Sequence, residues 1–259
     1  MFDSEGVFLK IHKKVRAKNA SLILAMPGVA LTGKMVGDQM VKDLKAERVA
    51  TVYSTSLPAI APSLPSGELK LFSIELYHAR TKRNEFIIAT GDSQPVTQEG
   101  LYAVSEKILS FFSGVGGASV FGIGASASND VSNKKRRVFA YSADQKTLAS
   151  LLKKGAVKNN GYIQVFGMAG LTPALAQLHG LKGSCLLSEA LPLPMDVDSA
   201  VRMLDFVSAF FNEKFSSKEL EKEGLKVSKF FESLQAQPQV NEVQPAQPGG
   251  VKQNLSYIH

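Results

Sequence analysis

The residues whose spacing carries the most chemistry are Gly28-Val29-Ala30-Leu31-Thr32-Gly33-Lys34-Met35. Gly28 and Gly33-Lys34 have the spacing of a phosphate-binding loop, G-x-x-x-x-G-K-[ST], in which backbone N–H groups cradle phosphates and the lysine neutralises them. The last position fails, because Met35 stands where a hydroxyl would coordinate Mg²⁺. The companion acid is also displaced: Thr90 and Gly91 separate Asp92 from the apolar run Phe86-Ile87-Ile88-Ala89. A nucleotide hydrolase would therefore lack two of its parts. The competing reading is ordinary strand-to-helix geometry, with Gly28 in a turn and Gly33 and Gly37 on a helix face that packs close to a sheet.

Other reactive groups are sparse. His12, His78, His179 and His259 stand singly, with no His or Cys partner at ligand spacing, so no metal and no cofactor are expected. Cys185 is the single cysteine and lies inside an apolar strand, where it reads as buried filler rather than a nucleophile. An internal disulfide is excluded, and the start Met1-Phe2-Asp3-Ser4-Glu5 has no secretory pattern, so a reducing, cytoplasmic location is expected. For acid–base work, Asp92 with Glu189 is the one carboxylate pair that can be placed at strand ends. Each also has a plain structural role, Asp92 in turning its loop and Glu189 in pairing with a surface lysine.

The elements that must position these residues alternate. Strands are expected at Phe8–Ile11, from Ser21 into Met26, at Arg48–Ser54, Leu69–Leu76, Glu85–Thr90, Ser119–Ile123, Arg137–Tyr141, Gly161–Phe166 and Gly183–Leu187. Helical faces appear at Gly33, Gly37, Met40 and Leu44, at Leu101, Val104, Ile108 and Phe111, and at Ala200, Val201, Leu204, Ser208 and Phe211 after Asp196 as N-cap. Ser142-x-x-Gln145 and Ser216-x-x-Glu219 read as capping boxes, and Thr172-Pro173 as the start of a helix ending at Gly180. Leu220, Val227, Phe231 and Leu234 stripe a last helix. Strands alternating with helices, each strand followed by glycine, predict an α/β fold with a mainly parallel sheet between helices. In such a sheet ligands sit beyond the carboxyl ends of the strands. Four glycine loops, Gly28–Thr32, Gly91–Gln94, Gly122–Ser126 and Gly167–Thr172, should gather there into a cleft, with Gly28, Thr32, Gly91, Asp92, Ser126 and Glu189 as its candidate residues.

Charge and hydropathy limit the partners. The 259 residues carry a net charge of +7, with basic clusters at Lys10–Lys18 and Lys134–Arg137. No aromatic residues interleave with them and no nucleic-acid signature appears, so both read as solvated surface. Ile108 through Asn129 lacks charge over a spanning length, but its glycines and serines argue against membrane insertion. The chain thus divides into a lead-in (1–20), one α/β domain (21–234) and a tail (235–259) rich in Gln, Pro and Gly, which is expected to be disordered. The tail turns apolar at Leu255-Ser256-Tyr257-Ile258-His259, which reads as a docking motif or as an unselected terminus.

Several of these segments resemble the proteasome-assembly-chaperone family, second-subunit type. They are Leu22–Gly33, Val49-Ala50-Thr51-Val52 with Pro58, Phe86–Pro95, Gly167-Met168-Ala169-Gly170-Leu171, Gly183–Glu189 and Asp198-Ser199-Ala200, in that order from Ser21 to Leu234. The resemblance implies a three-layer, phosphorylase-like α/β fold without phosphorylase activity. It also implies a homo-oligomer, or association with a sister subunit, and docking of C-terminal tails onto the α-subunits of the 20S proteasome. Tails of this family end in a hydrophobic residue, a tyrosine and any residue, with the carboxylate meeting a lysine. Here Tyr257 takes the hydrophobic place and Ile258 the tyrosine place, so Leu255, Tyr257, Ile258 and His259 are the implied partner-binding residues in a register shifted by one. About 25 flexible residues span roughly 25–30 Å, and several tails on one oligomer would act together.

Overall fold

The computed structural model describes residues 1–128 and 136–222. They form one α/β domain built on an eight-stranded sheet in the order β1-β3-β4-β5-β2-β6-β8-β7. The strands are β1 (Val7–Ile11), β2 (Ala20–Leu24), β3 (Glu47–Ser54), β4 (Ile74–Arg80), β5 (Glu85–Gly91), β6 (Gly117–Ala127), β7 (Val138–Ser142) and β8 (Lys182–Ala190). The helices are α1 (Thr32–Asp43), α2 (Gln98–Gly114), α3 (Gln145–Lys153), α4 (Met168–Leu175) and α5 (Val197–Phe211).

The sheet is mixed rather than mainly parallel. Only the central neighbours β5–β2, β2–β6 and β6–β8 run parallel, and the β1–β3, β3–β4, β4–β5 and β7–β8 pairs are antiparallel. For β4 and β5 the reason is connection length. Residues 81–84 join β4 to β5 in a turn closed by Thr81 N–H donating to the Asn84 carbonyl at 2.8 Å. A link that short makes a hairpin, because a parallel neighbour needs a crossover of a dozen residues or more.

Successive residues of β2 feed opposite cores, as the two-residue strand period requires. Leu22 and Leu24 join Val104, Ile108 and Phe112 of α2. Ile23 packs instead with Val36 and Met40 of α1 and Met203, Leu204 and Val207 of α5. All three β2 residues are fully buried, which is why the strand reads as an unbroken apolar run rather than an alternation. Gly33 lets α1 lie against the sheet: a Cβ there would come within 2.6 Å of the Ile123 carbonyl oxygen and 2.7 Å of that of Met26.

Thr97 and Asp196 cap α2 and α5, accepting from the N–H groups of Gly100 and Ser199, both at 3.1 Å. Elsewhere local expectation gives way to context. Ser142 is the last residue of β7 and its hydroxyl donates to the Gly183 carbonyl, so Asp144 caps α3 instead, accepting from Thr147 N–H at 2.8 Å. Residues 161–166 make no strand. Val165 packs over Phe139, Cys185 and Leu187 on the face of the sheet rather than joining its edge. Gly167, at φ 76°, starts α4 before Thr172-Pro173, and Pro173 lies within the helix. Leu69–Ser73 is likewise outside β4. Glu219 bonds Lys42, and the Ser217 hydroxyl bonds Glu221, so the Ser216 capping box is not made. Val227, Phe231 and Leu234 lie outside the described residues.

The two edges of the sheet differ. β7 has a parallel bridge from Phe139 to Val157 on its outer side. β1 pairs with β3 alone, and its outer side carries Lys10 and runs on into His12, Lys13 and Lys14.

Candidate functional site

All four expected glycine segments contribute to one cavity of about 250 Å³ at the carboxyl end of β2 and beside β6, but two of them are not loops: 122–126 lies within β6, which runs on to Ala127, and Gly167–Thr172 is the N-cap and first turns of α4. Gly28 comes from the β2–α1 loop, Gln94 from the segment after β5, Gly124 and Ser126 from β6, and Ala169 from the start of α4. Asn159 and Gln164 add amides, and Met26, Ile123, Val165 and Leu187 add apolar wall. No charged side chain of the described residues lines it.

Gln94 holds this end of the molecule together. Its Nε2 donates to the Pro27 carbonyl at 2.6 Å, and its Oε1 accepts from Met168 N–H at 2.8 Å. One amide thus ties the loop after β2, the loop after β5 and the first residue of α4. Sequence reasoning places no role on Gln94. Its partners are 67 and 74 residues away, and no local spacing encodes such a bond.

The remaining candidates are employed elsewhere. Thr32 is buried and donates through Oγ1 to Ser199 Oγ at 3.1 Å, joining α1 to α5. Gly91 is the last residue of β5 and pairs with Ile74. Asp92 accepts from Lys70 Nζ at 2.9 Å and from Ser73 N–H at 3.1 Å, which pins the long β3–β4 connection to the end of β5. Glu189 is paired with Arg137, not with a lysine. It accepts from the Arg137 backbone N–H at 2.8 Å and from Nε at 2.9 Å. Hydrogen bonding to Arg137 holds its carboxyl below the usual value despite burial. Neither Asp92 nor Glu189 lines the cavity, so the two are not brought together as an acid–base pair.

The phosphate-loop spacing resolves in the same way. Lys34 Nζ bonds Asp38, one helical turn on, at 2.7 and 2.5 Å. Met35 is buried in the core beside α5. Ala30 (φ 51°) and Leu31 (φ 54°) are both left-handed, and the Ala30 carbonyl accepts from Asp196 N–H at 3.1 Å. The loop conformation thus serves the junction of α1 with α5.

Burial pushes the Cys185 thiol up to about 12, so it is protonated at neutral pH and a poor nucleophile. Among the described residues no cluster of His, Cys, Asp and Glu could hold a metal ion, and no helix is long and apolar enough to cross a membrane. The basic run is only partly surface. Arg136 is 10% exposed and pairs with Asp196 at 3.0 Å, and Arg137 pairs with Glu189. Lys134 and Lys135 lie outside the described residues, as do Leu255, Tyr257, Ile258 and His259.

This architecture has solved counterparts. The chain is similar to PbaB of Pyrococcus furiosus, an archaeal proteasome activator, with a TM-score of 0.83 at 20% identity over 89% of this chain and 99% of that one. It is also similar to PbaA of the same organism, an archaeal homolog of proteasome-assembly chaperone, with a TM-score of 0.75 at 21% identity over 89% and 92%. The uncharacterized protein MJ1210 of Methanocaldococcus jannaschii is 25% identical over 237 residues, 90% of each chain. The PAC2 family model matches residues 22–235, and the chain belongs to the PAC2 family.

Proposed function

We propose that this protein is a non-enzymatic proteasome-assembly chaperone or proteasome-binding factor of the cytoplasm. In this reading it is a homo-oligomer of three-layer, phosphorylase-like domains (21–234) that docks its tails (235–259) onto the α-subunits of the 20S proteasome through Leu255, Tyr257, Ile258 and His259. The observation that carries the reading is the family match across residues 22–235, together with a fold shared with a proteasome activator. The chemistry is in keeping with it. The carboxylates, the lysine and the thiol that could have reacted are tied into the scaffold by Arg137, Lys70, Asp38 and burial. Native mass spectrometry of the protein mixed with α-rings tests the reading. A complex is expected with the full chain and not after deletion of Leu255–His259. Equal complexes from both chains, or none from either, would sink it.

The cavity at the strand ends favours a second reading, a small-molecule binder. Its lining of side-chain amides, a hydroxyl and apolar wall suits a small neutral ligand, and no described residue of the lining offers a cation to a phosphate. Titration calorimetry with nucleosides and nucleotides separates the two. Heat from nucleosides alone would support the second reading, and silence across the panel would leave the scaffold reading.

A further inference from the structure

A concave surface of different character lies at the other end of the sheet, at the amino ends of β2 and β5. It holds about 330 Å³ and is lined by the segment from Lys18 to Ser21, by Arg80 and Glu85, and by the β4–β5 turn with Lys82 and Arg83. Glu85 is fully engaged. Its Oε1 accepts from Arg80 Nε at 3.1 Å and Nη2 at 2.6 Å and bonds His78 Nε2 at 2.8 Å, while its Oε2 accepts from Lys18 N–H at 3.0 Å. Glu213 also reaches the turn, where it accepts from Thr81 Oγ1 at 2.5 Å and Asn84 Nδ2 at 2.7 Å. Among the described residues, the side chains of Lys18, Lys82 and Arg83 have no carboxylate partner. Lys13, Lys34 and Lys70, by contrast, each meet one.

This gathering of charge is held by the scaffold. The bonds to Glu85 clamp the lead-in against the turn, and Arg80 Nη2 adds a bond to the Arg16 carbonyl at 3.3 Å. The turn is locked in its own right, Thr81 Oγ1 accepting from the N–H groups of Arg83 at 3.2 Å and Asn84 at 2.9 Å. Three cations thus share one concavity without a counter-charge, and a cleft lined by one sign of charge concentrates the opposite ion. The lining also narrows what that ion is. A volume near ~300 Å³ suits a small molecule, and three cations match a compact ligand of several negative charges. Among the described residues no aromatic or aliphatic side chain lines the pocket, so it offers nothing to an acyl chain or a base. Lysine ammoniums act as point charges toward phosphoryl oxygens, and the Arg83 fork can take two oxygens at once. Asn19 and Ser21 supply neutral donors.

We propose that this basic pocket binds a short phosphate chain, free or carried as the tail of a nucleotide, through Lys18, Lys82 and Arg83. The test is titration calorimetry of the full-length protein with inorganic tripolyphosphate in buffer free of divalent cations. Saturable binding at one site per chain is expected, weakening as salt is raised. The double variant Lys82→Gln, Arg83→Gln is expected to bind at least ~10-fold more weakly, with unchanged far-UV circular dichroism. Lys18→Gln, on a separate segment of the lining, is expected to weaken binding too, and it takes the place of the double variant if that chain does not fold. A control, Lys153→Gln with Lys154→Gln at the end of α3, removes the same charge outside the pocket and is expected to keep the wild-type affinity. A nucleoside triphosphate separates the two sources. Binding as tight as that of tripolyphosphate, weakened by the same double variant, makes the nucleotide tail an occupant, and its exclusion leaves the free chain; either result upholds the site. No heat from tripolyphosphate, undiminished binding by the double variant, an equal loss in the control, or citrate binding as tightly would each overturn the inference.

Discussion

Gln94 and Glu189 carry structural work that a sequence does not announce. Replacing Gln94 by Ala would leave the Pro27 carbonyl and the Met168 N–H without their partner. A loss of about 1–3 kcal/mol is expected, read as a lower urea midpoint at unchanged slope. Glu189 makes a pH-dependent contribution. Because Arg137 lowers its folded carboxyl value, the stabilisation is complete above the ordinary glutamate value of about 4.5. It is lost as pH falls through the lower, folded value. Glu189→Gln is therefore expected to cost about 1–3 kcal/mol at pH 7, with the gap to the wild type closing at acid pH. Denaturation curves at pH 7, 5 and 3 check this, and a gap that stays constant would rule the pair out as its source.

At the scale of elements, the contact between α1 and the sheet is the point to probe. A methyl group at Gly33 meets two backbone carbonyls that cannot swing aside, so Gly33→Ala is expected to lower stability by about 1–3 kcal/mol. The same change at Gly114, in the last turn of α2 with open space around it, is expected to be neutral or to gain up to ~1 kcal/mol. Opposite signs for one substitution, measured by thermal melts, would show that packing rather than helix propensity governs α1. These elements also show how far sequence reasoning reaches. Asp196 before a helical stripe is legible as a cap because its partner, Ser199, is local. Ser142 is not, because its hydroxyl is claimed by Gly183, 41 residues away. Val165 looks like a strand residue, yet covers a sheet face. Two of the four glycine segments, at Gly28 and Gly91, are legible in sequence as strand ends, whereas 122–126 continues β6 and Gly167 follows no strand. That Asp92 and Glu189 face other partners is a tertiary fact that no spacing encodes.

For the whole molecule, the proposed function depends on several weak tails carried by one assembly. Tails held on one assembly act with a high effective concentration, which can raise avidity ~10²–10⁴-fold over a single tail. An isolated peptide of residues 235–259 is thus expected to bind immobilised α-rings at least ~10²-fold more weakly than the full-length protein. Interferometry showing equal affinity would rule out docking by several tails at once. The sheet itself sets a limit on association of another kind. Edge strand β1, which among the described residues pairs with β3 on one side, offers backbone groups on its outer side to any extended chain, the template from which fibres grow. Lys10 and Lys14 stand at that margin, and a lysine-bearing strand is a poor seed because every added copy would stack ammonium on ammonium. Neutralising those two lysines should leave folding untouched and surface first as turbidity in concentrated solution. The basic lead-in thereby acts as a guard on solubility.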